Sequence, residues 1–413
     1  MYKVLLLNNI SPIGLERLPR GRYECASEIQ HPDAILVRSA NIHEMVIPDT
    51  VKAIGRAGAG TNNIPVAAMT DRGIPVFNTP GANANAVKEL VLCGLLLASR
   101  DIVQGWQFVR GLQGDDQEVT RLIEANKKRF AGNELVSYTL GVVGLGAIGR
   151  GVCDAALHLG MNVVGIDPGL TVQGAWRLPH QVEQAINLDD LFRRSDYITF
   201  HVPLMDTTRH MVNDGTLSVM KDGVRLLNFS RGGIVDDAAV SRAIQAGKVR
   251  CYVTDFASAL LKDDDRVIAL PHLGASTRQA EQNCAAMVVD QVRDYLENGN
   301  VVNAVNLPTC HLPRNGKQRL AVVNADVPQM VSQVTAHLAQ AGLNIHEMLN
   351  KSRAGIAYTI IDVDGDIPDS LVEGVRPRRS SRAVSRDAFR RPGALPAGAA
   401  PRAAARAPWA AHR

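Results

Sequence analysis

Three short stretches carry the side chains that can do chemistry. "VIALPHLGAST" (267–277) is an apolar run that stops at a Pro-His pair and a small-residue turn, which places His272 just past a strand end. A histidine there serves as a general acid/base or packs as a neutral ring, and its neighbours decide which. "LLNFSRGGIVDD" (226–237) ends a strand at Phe229 and delivers Ser230 and Arg231 to the carboxyl edge of a sheet, with Gly232 and Gly233 permitting the turn. A guanidinium can grip a carboxylate through two parallel hydrogen bonds and polarise a neighbouring carbonyl. Taken alone, such an arginine is more often a surface ion-pair partner. "YVTDFASALL" (252–261) ends a further strand at Asp255.

A fourth stretch, "GVVGLGAIGRGVCDAALHLGMNVVGIDP" (141–168), holds Gly144-x-Gly146-x-x-Gly149. A glycine triplet by itself is weak. Here it follows a strand, opens a helix predicted over Ile148–Leu159, and meets a second strand that ends at Asp167, 23 residues past Gly144. Glycines in that setting let the backbone approach a pyrophosphate at a helix N-terminus, and the acid takes both ribose hydroxyls. A carboxylate repels a 2′-phosphate, so the expected cofactor is NAD rather than NADP. Ligands in open α/β sheets sit at the carboxyl ends of the strands, so the three strand ends above are expected to converge on one crevice.

Elements to position these residues can be read along the chain. The first eighty residues alternate apolar runs ("YKVLLL", "DAILVRSA", "VKAIGRAG", "IPVFNTP") with turns and helical stretches, the rhythm of a parallel α/β sheet. One long helix is predicted near Ala84–Val109, with Val87, Leu90, Val91, Leu95 and Leu96 at helical spacing. A second α/β series runs from Leu140 through "LGVVG", "NVVGID", "DYITFHVP", "VRLLNFS", "CYVTDF" and "RVIAL". Residues 317–366 read as strand, helix, strand and strand. After Val375 the pattern is lost, and residues 376–413 hold ten arginines and one acid in an Arg/Ala/Pro/Gly background. Such a composition buries too little surface to offset ordering entropy and is expected to be disordered.

Composition narrows the function classes. The net charge of +4 arises from that tail, which carries +9 and leaves the preceding chain at −5, so the basic balance is no general signature of nucleic-acid binding. No apolar run reaches the eighteen residues of a membrane span. "MYKVLLLNNI" reads as a first strand rather than a signal peptide. Six scattered cysteines without a CxxC pair suit free thiols in a reducing cytoplasm, and no metal is expected.

Eight stretches in order over about residues 3–307, among them "ILVRSA", "IGRAGAGTNNIPV", "VVGLGAIGR", "NFSRGGIVD", "YVTDF" and "LPHLGAST", together resemble the D-2-hydroxyacid dehydrogenase family, closest to its D-3-phosphoglycerate branch. The resemblance implies an α/β fold of two doubly wound parallel-sheet domains. A Rossmann NAD domain (93–274) would be inserted in a flavodoxin-like substrate domain (1–92 and 275–305), the two closing over a cleft. Arg231 and His272 are then expected to be catalytic. Gly144, Gly146, Ala147, Ile148, Gly149, Asp167, Val202, Phe229, Ser230, Asp255, Leu273, Gly274 and Ala275 would contact NAD. Arg38, Ser39, Asn83 and Arg231 would bind a phosphorylated hydroxyacid. A cytoplasmic homodimer or homotetramer is implied, paired through the helical region after residue 84, with neither nucleic acid nor membrane as partner. The implied activity is NAD-dependent oxidation of D-3-phosphoglycerate to 3-phosphohydroxypyruvate, the first step of L-serine biosynthesis. Two alternatives stay open: another D-2-hydroxyacid, or a catalytically weak NAD-sensing protein on the same fold.

One departure stands out. The family carries an acid five residues after the aspartate of its "TDF" stretch, and that acid holds the histidine; this chain has Leu260 there, with Asp263, Asp264 and Asp265 as candidate substitutes. Residues 317–375 resemble an ACT regulatory domain, a βαββαβ module, with Pro328-Gln329 where the family has a Pro-Gly turn and no fourth strand in view. An ACT-like sheet with an open edge, and weak or absent serine feedback, are the corresponding expectations.

Overall fold

The structure is a computed structural model and describes residues 1–375 and 381–385. It divides into two compact units: residues 1–293 with 302–306, and residues 294–301 with those from 307 onward.

The larger unit contains two parallel sheets. The first is built from β1 (Tyr2–Leu7), β2 (Tyr23–Ala26), β3 (Ala34–Val37), β4 (Ala53–Arg56) and β5 (Val76–Phe77), in the spatial order β2-β1-β3-β4-β5. This is the flavodoxin-like arrangement. The second contains β6 (Thr139–Val143), β7 (Asn162–Ile166), β8 (Glu183–Gln184), β9 (Tyr197–Phe200), β10 (Val224–Asn228), β11 (Val249–Thr254) and β12 (Val267–Ala269), ordered β12-β11-β10-β9-β6-β7-β8. Chain order reverses between β6 and β9, the topological switch point of a Rossmann sheet. The doubly wound fold class expected from the sequence is the one observed. Parallel strands are covered by helices on both faces and so read as continuous apolar runs. Every residue of β3, β9 and β10 is buried accordingly.

Sequence periodicity overshot in one place. The single helix predicted over Ala84–Val109 is two, Ala84–Arg100 and Ile102–Gly111. Asp101 between them adopts a left-handed φ of 44°, and its carboxylate accepts a hydrogen bond from Arg250 Nη2 at 3.0 Å. That tertiary contact is invisible in the local spacing. The two-residue strand β8 and the half-exposed β2 lack an apolar run and were not foreseen.

The smaller unit is a four-stranded antiparallel sheet of β13 (Gln318–Ala325), β14 (Ile345–Arg353), β15 (Ile356–Val363) and β16 (Ser381–Ser385), ordered β14-β15-β13-β16, with helices Met330–Gln340 and Asp369–Val375. The expectation that no fourth strand follows is corrected: Ser381–Ser385 pairs antiparallel with β13. A five-residue "SRAVS" segment has too weak an apolar pattern to announce a strand, and pairing with a buried neighbour supplies what local sequence lacks. The open edge on β13 is therefore absent, and the expectation of lost feedback loses its basis. Of the tail expected to be disordered, residues 376–380 and 386–413 lie outside the described residues. Gln329, at the position of the family's glycine, takes the left-handed conformation that glycine would favour (φ 71°).

Candidate active site

Where β6 ends, the glycine residues are required by close approach. Gly144 has φ +94°, and a Cβ there would sit 2.7 Å from the His201 carbonyl oxygen. A Cβ on Gly149 would lie 1.9 Å from the Gly144 oxygen, so only glycine lets the helix start against the strand. Gly146 faces open space and caps the helix Ala147–His158 without any side-chain cap. That helix start is thus free to receive an anion. Beside it, Asp167 accepts the Leu145 N–H on Oδ2 and the Gly169 N–H on Oδ1, both at 2.9 Å. Each carboxylate oxygen keeps a further lone pair for a ribose hydroxyl.

The other strand ends arrive at the same side of the sheet. Beyond β9, the Val202 carbonyl accepts the Ser230 hydroxyl at 2.5 Å, tying that loop to the end of β10. Asn228 Nδ2 donates to the Arg231 carbonyl at 2.9 Å and its Oδ1 accepts the Ser230 N–H at 3.2 Å. Phe229 is buried beneath this turn. At the end of β11, Asp255 is buried; its carbonyl accepts the His272 N–H and its Oδ2 the Gly274 N–H, each at 2.9 Å. Burial pushes the Asp255 carboxyl up, opposed by the Gly274 hydrogen bond and by the charges of His272 and Arg231. Its Oδ1 is buried with no partner. An orphaned acceptor of that kind is costly unless something donates to it. A carboxamide N–H2 is a donor of the right class, so the residues present fit a nicotinamide on the open side of Asp255.

The substrate side is a cleft of about 1070 Å³. Of the residues predicted from sequence, Arg38, Ser39, Asn83, Arg231, His272 and Ala275 line it together. The glycine turn, Asp167, Asp255 and Gly274 do not line it and stand at the strand ends described above. His272 has a left-handed φ of 49°, an uncommon conformation for a residue with a side chain, and its ring lies 4.9 Å from that of Phe256, tilted by 53°. Among the described residues no group hydrogen-bonds its ring nitrogens. Leu260 is 58% exposed. Two of the candidate substitutes have their carboxylates engaged elsewhere, Asp263 with Lys262 at 2.6 Å and Asp264 with the Arg266 N–H at 2.9 Å, whereas Asp265 is held by its backbone carbonyl, which accepts from Gln104 at 2.6 Å.

Sequence reasoning missed three residues. Arg56, inside "IGRAGAG", lines the cleft and donates through Nε to the Arg38 carbonyl at 3.1 Å. Glu281, on the first turn of the helix Arg278–Asn298, meets Arg38 in the same cleft. His201, at the switch point, is half-buried; burial pushes its ring down to about 3, and the ring lies 3.1 Å from Thr199 Oγ1. "GRAG" offered a signal for Arg56. Nothing local marks Glu281, because its partner lies 243 positions away.

A Rossmann sheet with a glycine turn, an acid closing its second strand and an unpaired buried carboxylate oxygen at the end of β11 defines a dinucleotide-binding oxidoreductase fold. Residues 94–275 match the family model for the D-isomer specific 2-hydroxyacid dehydrogenase NAD binding domain. That segment belongs to this family, and NAD is its cofactor. The chain is 33% identical over 335 residues to a D-3-phosphoglycerate dehydrogenase of Methanocaldococcus jannaschii, which covers 79% of this chain and 61% of the relative. It is 36% identical over 299 residues to the enzyme of that name from Archaeoglobus fulgidus, covering 70% and 54%. The chain therefore spans a little over half the length of these relatives. Among solved structures, a glyoxylate reductase from Paecilomyes thermophila superposes with a TM-score of 0.62 at 25% identity, covering 74% of this chain and 98% of that one. The NAD+-bound 3-phosphoglycerate dehydrogenase of Entamoeba histolytica does so with 0.58 at 25%, covering 74% and 98%.

Proposed function

We propose that the protein oxidises D-3-phosphoglycerate to 3-phosphohydroxypyruvate with NAD, the first step of L-serine biosynthesis. The observation that carries this reading is the assembly of Arg231, Arg56, Arg38 and His272 on one cleft. Arg231 holds the substrate carboxylate and polarises the C2 oxygen; His272 takes the hydroxyl proton as C2 loses its hydride. NAD supplies the hydride acceptor when bound. Asp167 would hold the ribose hydroxyls, and Asp255 Oδ1 would accept from the carboxamide. Arg38, Ser39 and Asn83 take the distal group of the substrate. Residues 1–92 with 275–305 act as the substrate-binding part and 93–274 as the nucleotide-binding part.

A homodimer or homotetramer belongs to the same reading. The helix Ile102–Gly111 buries none of its residues and exposes Ile102, Trp106 and Val109, an apolar face suited to a second copy. No helix among the described residues is long and apolar enough to cross a membrane, and we place the enzyme in the cytoplasm.

A second reading, a weakly catalytic NAD-binding protein, is favoured by the exposed Leu260 and the unsupported ring of His272. The deciding experiment is NADH consumption with 3-phosphohydroxypyruvate by the purified protein and by His272→Ala. Turnover lost on substitution supports the dehydrogenase. Tight NADH binding without turnover in the parent protein favours the sensor.

A further inference from the structure

The three guanidinium groups of the cleft are not equivalent. Arg56 and Arg231 approach one point over Gly60, in the loop after β4: a Cβ built on Gly60 would lie 3.3 Å from Arg231 Nη2 and 3.8 Å from Arg56 Nη1. Among the described residues neither forms an ion pair with a carboxylate. Burial lowers the Arg56 guanidinium below its ordinary value, opposed by the Cys284 thiol and reinforced by the charges of Arg231 and Arg38. Arg38 is in the opposite state. Its Nη2 donates to Glu281 Oε1 at 2.5 Å, with the two side chains 40% and 42% exposed to the cleft. An ion pair open to water adds little to stability. Its effect falls instead on the charge of whatever enters.

We propose that Glu281 is a specificity-determining residue that grades substrates by the charge of their distal end. The unpaired Arg56 and Arg231 take the 2-carboxylate. A distal group reaching Arg38 must share it with the Glu281 carboxylate. A hydroxyl can donate to Glu281 and accept from Arg38 at once. A phosphate dianion accepts only, and it meets a like charge at hydrogen-bonding range. Glu281 therefore narrows the preference for phosphorylated over unphosphorylated 2-oxoacids that the three arginines would otherwise impose. This inference rests on the dehydrogenase reading above for its kinetic form, but not for its electrostatic one.

The test compares the parent protein with Glu281→Gln, which keeps size and one acceptor oxygen. For 3-phosphohydroxypyruvate, kcat/KM should rise about tenfold with the change falling in KM, as expected for one unit charge removed at close range in a partly hydrated cleft. For hydroxypyruvate the change should stay within about threefold, since no full like charge is relieved. Equal gains for both acids, or none for the phosphorylated one, overturn the proposal. Glu281→Asp should restore the parent ratio, which a merely structural role would not require. Glu281→Ala serves should the glutamine variant fail to fold. If the parent protein reduces neither acid, the dehydrogenase reading fails by itself. Calorimetric titration with inorganic phosphate still decides the role of Glu281: tighter binding by Glu281→Gln supports it, and equal binding overturns it.

Discussion

Arg319 and Asp362 meet in the smaller unit with both side chains at 0% exposure, joined by two hydrogen bonds of 2.5 and 2.7 Å. The remaining guanidinium protons go to the carbonyls of Asn298, Leu312 and Pro313, and Asp362 also accepts the Asn315 N–H at 2.7 Å. Arg38 and Glu281, in the cleft of the larger unit, share one contact and stay two-fifths exposed. The same two side-chain classes thus serve different ends. Complete satisfaction in a dry site fixes a structure, because neither partner can leave without stranding a charge. A single wet contact is exchangeable, as a group that must meet a ligand has to be. Within the larger unit the contrast repeats: the glycine turn and Asp255 are immobilised by backbone contacts, whereas the His272 ring is held by one aromatic neighbour.

The largest expected effect lies on the buried pair. Asp362→Asn should cost about 3–5 kcal/mol of stability in the smaller unit, read by denaturant unfolding. Burial raises the Asp362 carboxyl, but the Arg319 hydrogen bonds and the Asn315 N–H outweigh it and leave it lowered. Its stabilisation is therefore fully present above the unfolded aspartate range and is lost as pH falls through the lowered folded value. A parent protein whose smaller unit unfolds with the same free energy at pH 7 and well below that range would contradict this.

Next in size, His272→Ala should lower turnover by about 10²–10⁴-fold with NADH affinity preserved. A loss under twofold would place the acid/base elsewhere. Gly149→Ala should cost about 1–3 kcal/mol, because the new Cβ meets backbone oxygen rather than a movable side chain. It should also weaken NADH binding, measured by fluorescence titration, and an unchanged Kd would show that the turn can shift. The smallest change is a gain. Leu260→Glu should carry the alkaline limb of the pH profile for 2-oxoacid reduction to higher pH, since a nearby carboxylate favours the protonated imidazole that must donate. An unmoved limb would mean that residue 260 does not reach the ring.

Much of the site was legible in one dimension because its parts are strand ends. Apolar runs followed by Gly-x-Gly, by Ser-Arg-Gly-Gly or by Pro-His announce where a strand stops and what it presents, and α/β topology brings such ends together. Arg38, Ser39, Asn83, Arg231 and His272 accordingly share one cleft. What failed were features with no local signature. The break at Asp101 depends on Arg250, 149 positions on, and β16 depends on the free edge of β13 rather than on its own apolar content. Of the candidate substitutes for the missing acid, Asp263 and Asp264 find partners one and two residues away, which cost less chain entropy than reaching the histidine.

By itself the sequence determined the sheet types, the glycine turn, the acid that follows β7 and the strand-end positions of Arg231 and His272, since each follows from chain chirality, side-chain volume or charge within a few dozen residues. Tertiary structure alone decided which charges are neutralised. Whether Arg38 is free or paired, whether Asp255 Oδ1 is satisfied and whether His272 has a supporting acid are set by groups up to 243 positions apart. Coulomb and hydrogen-bond energies depend on distance and burial in space, and neither is written along the chain.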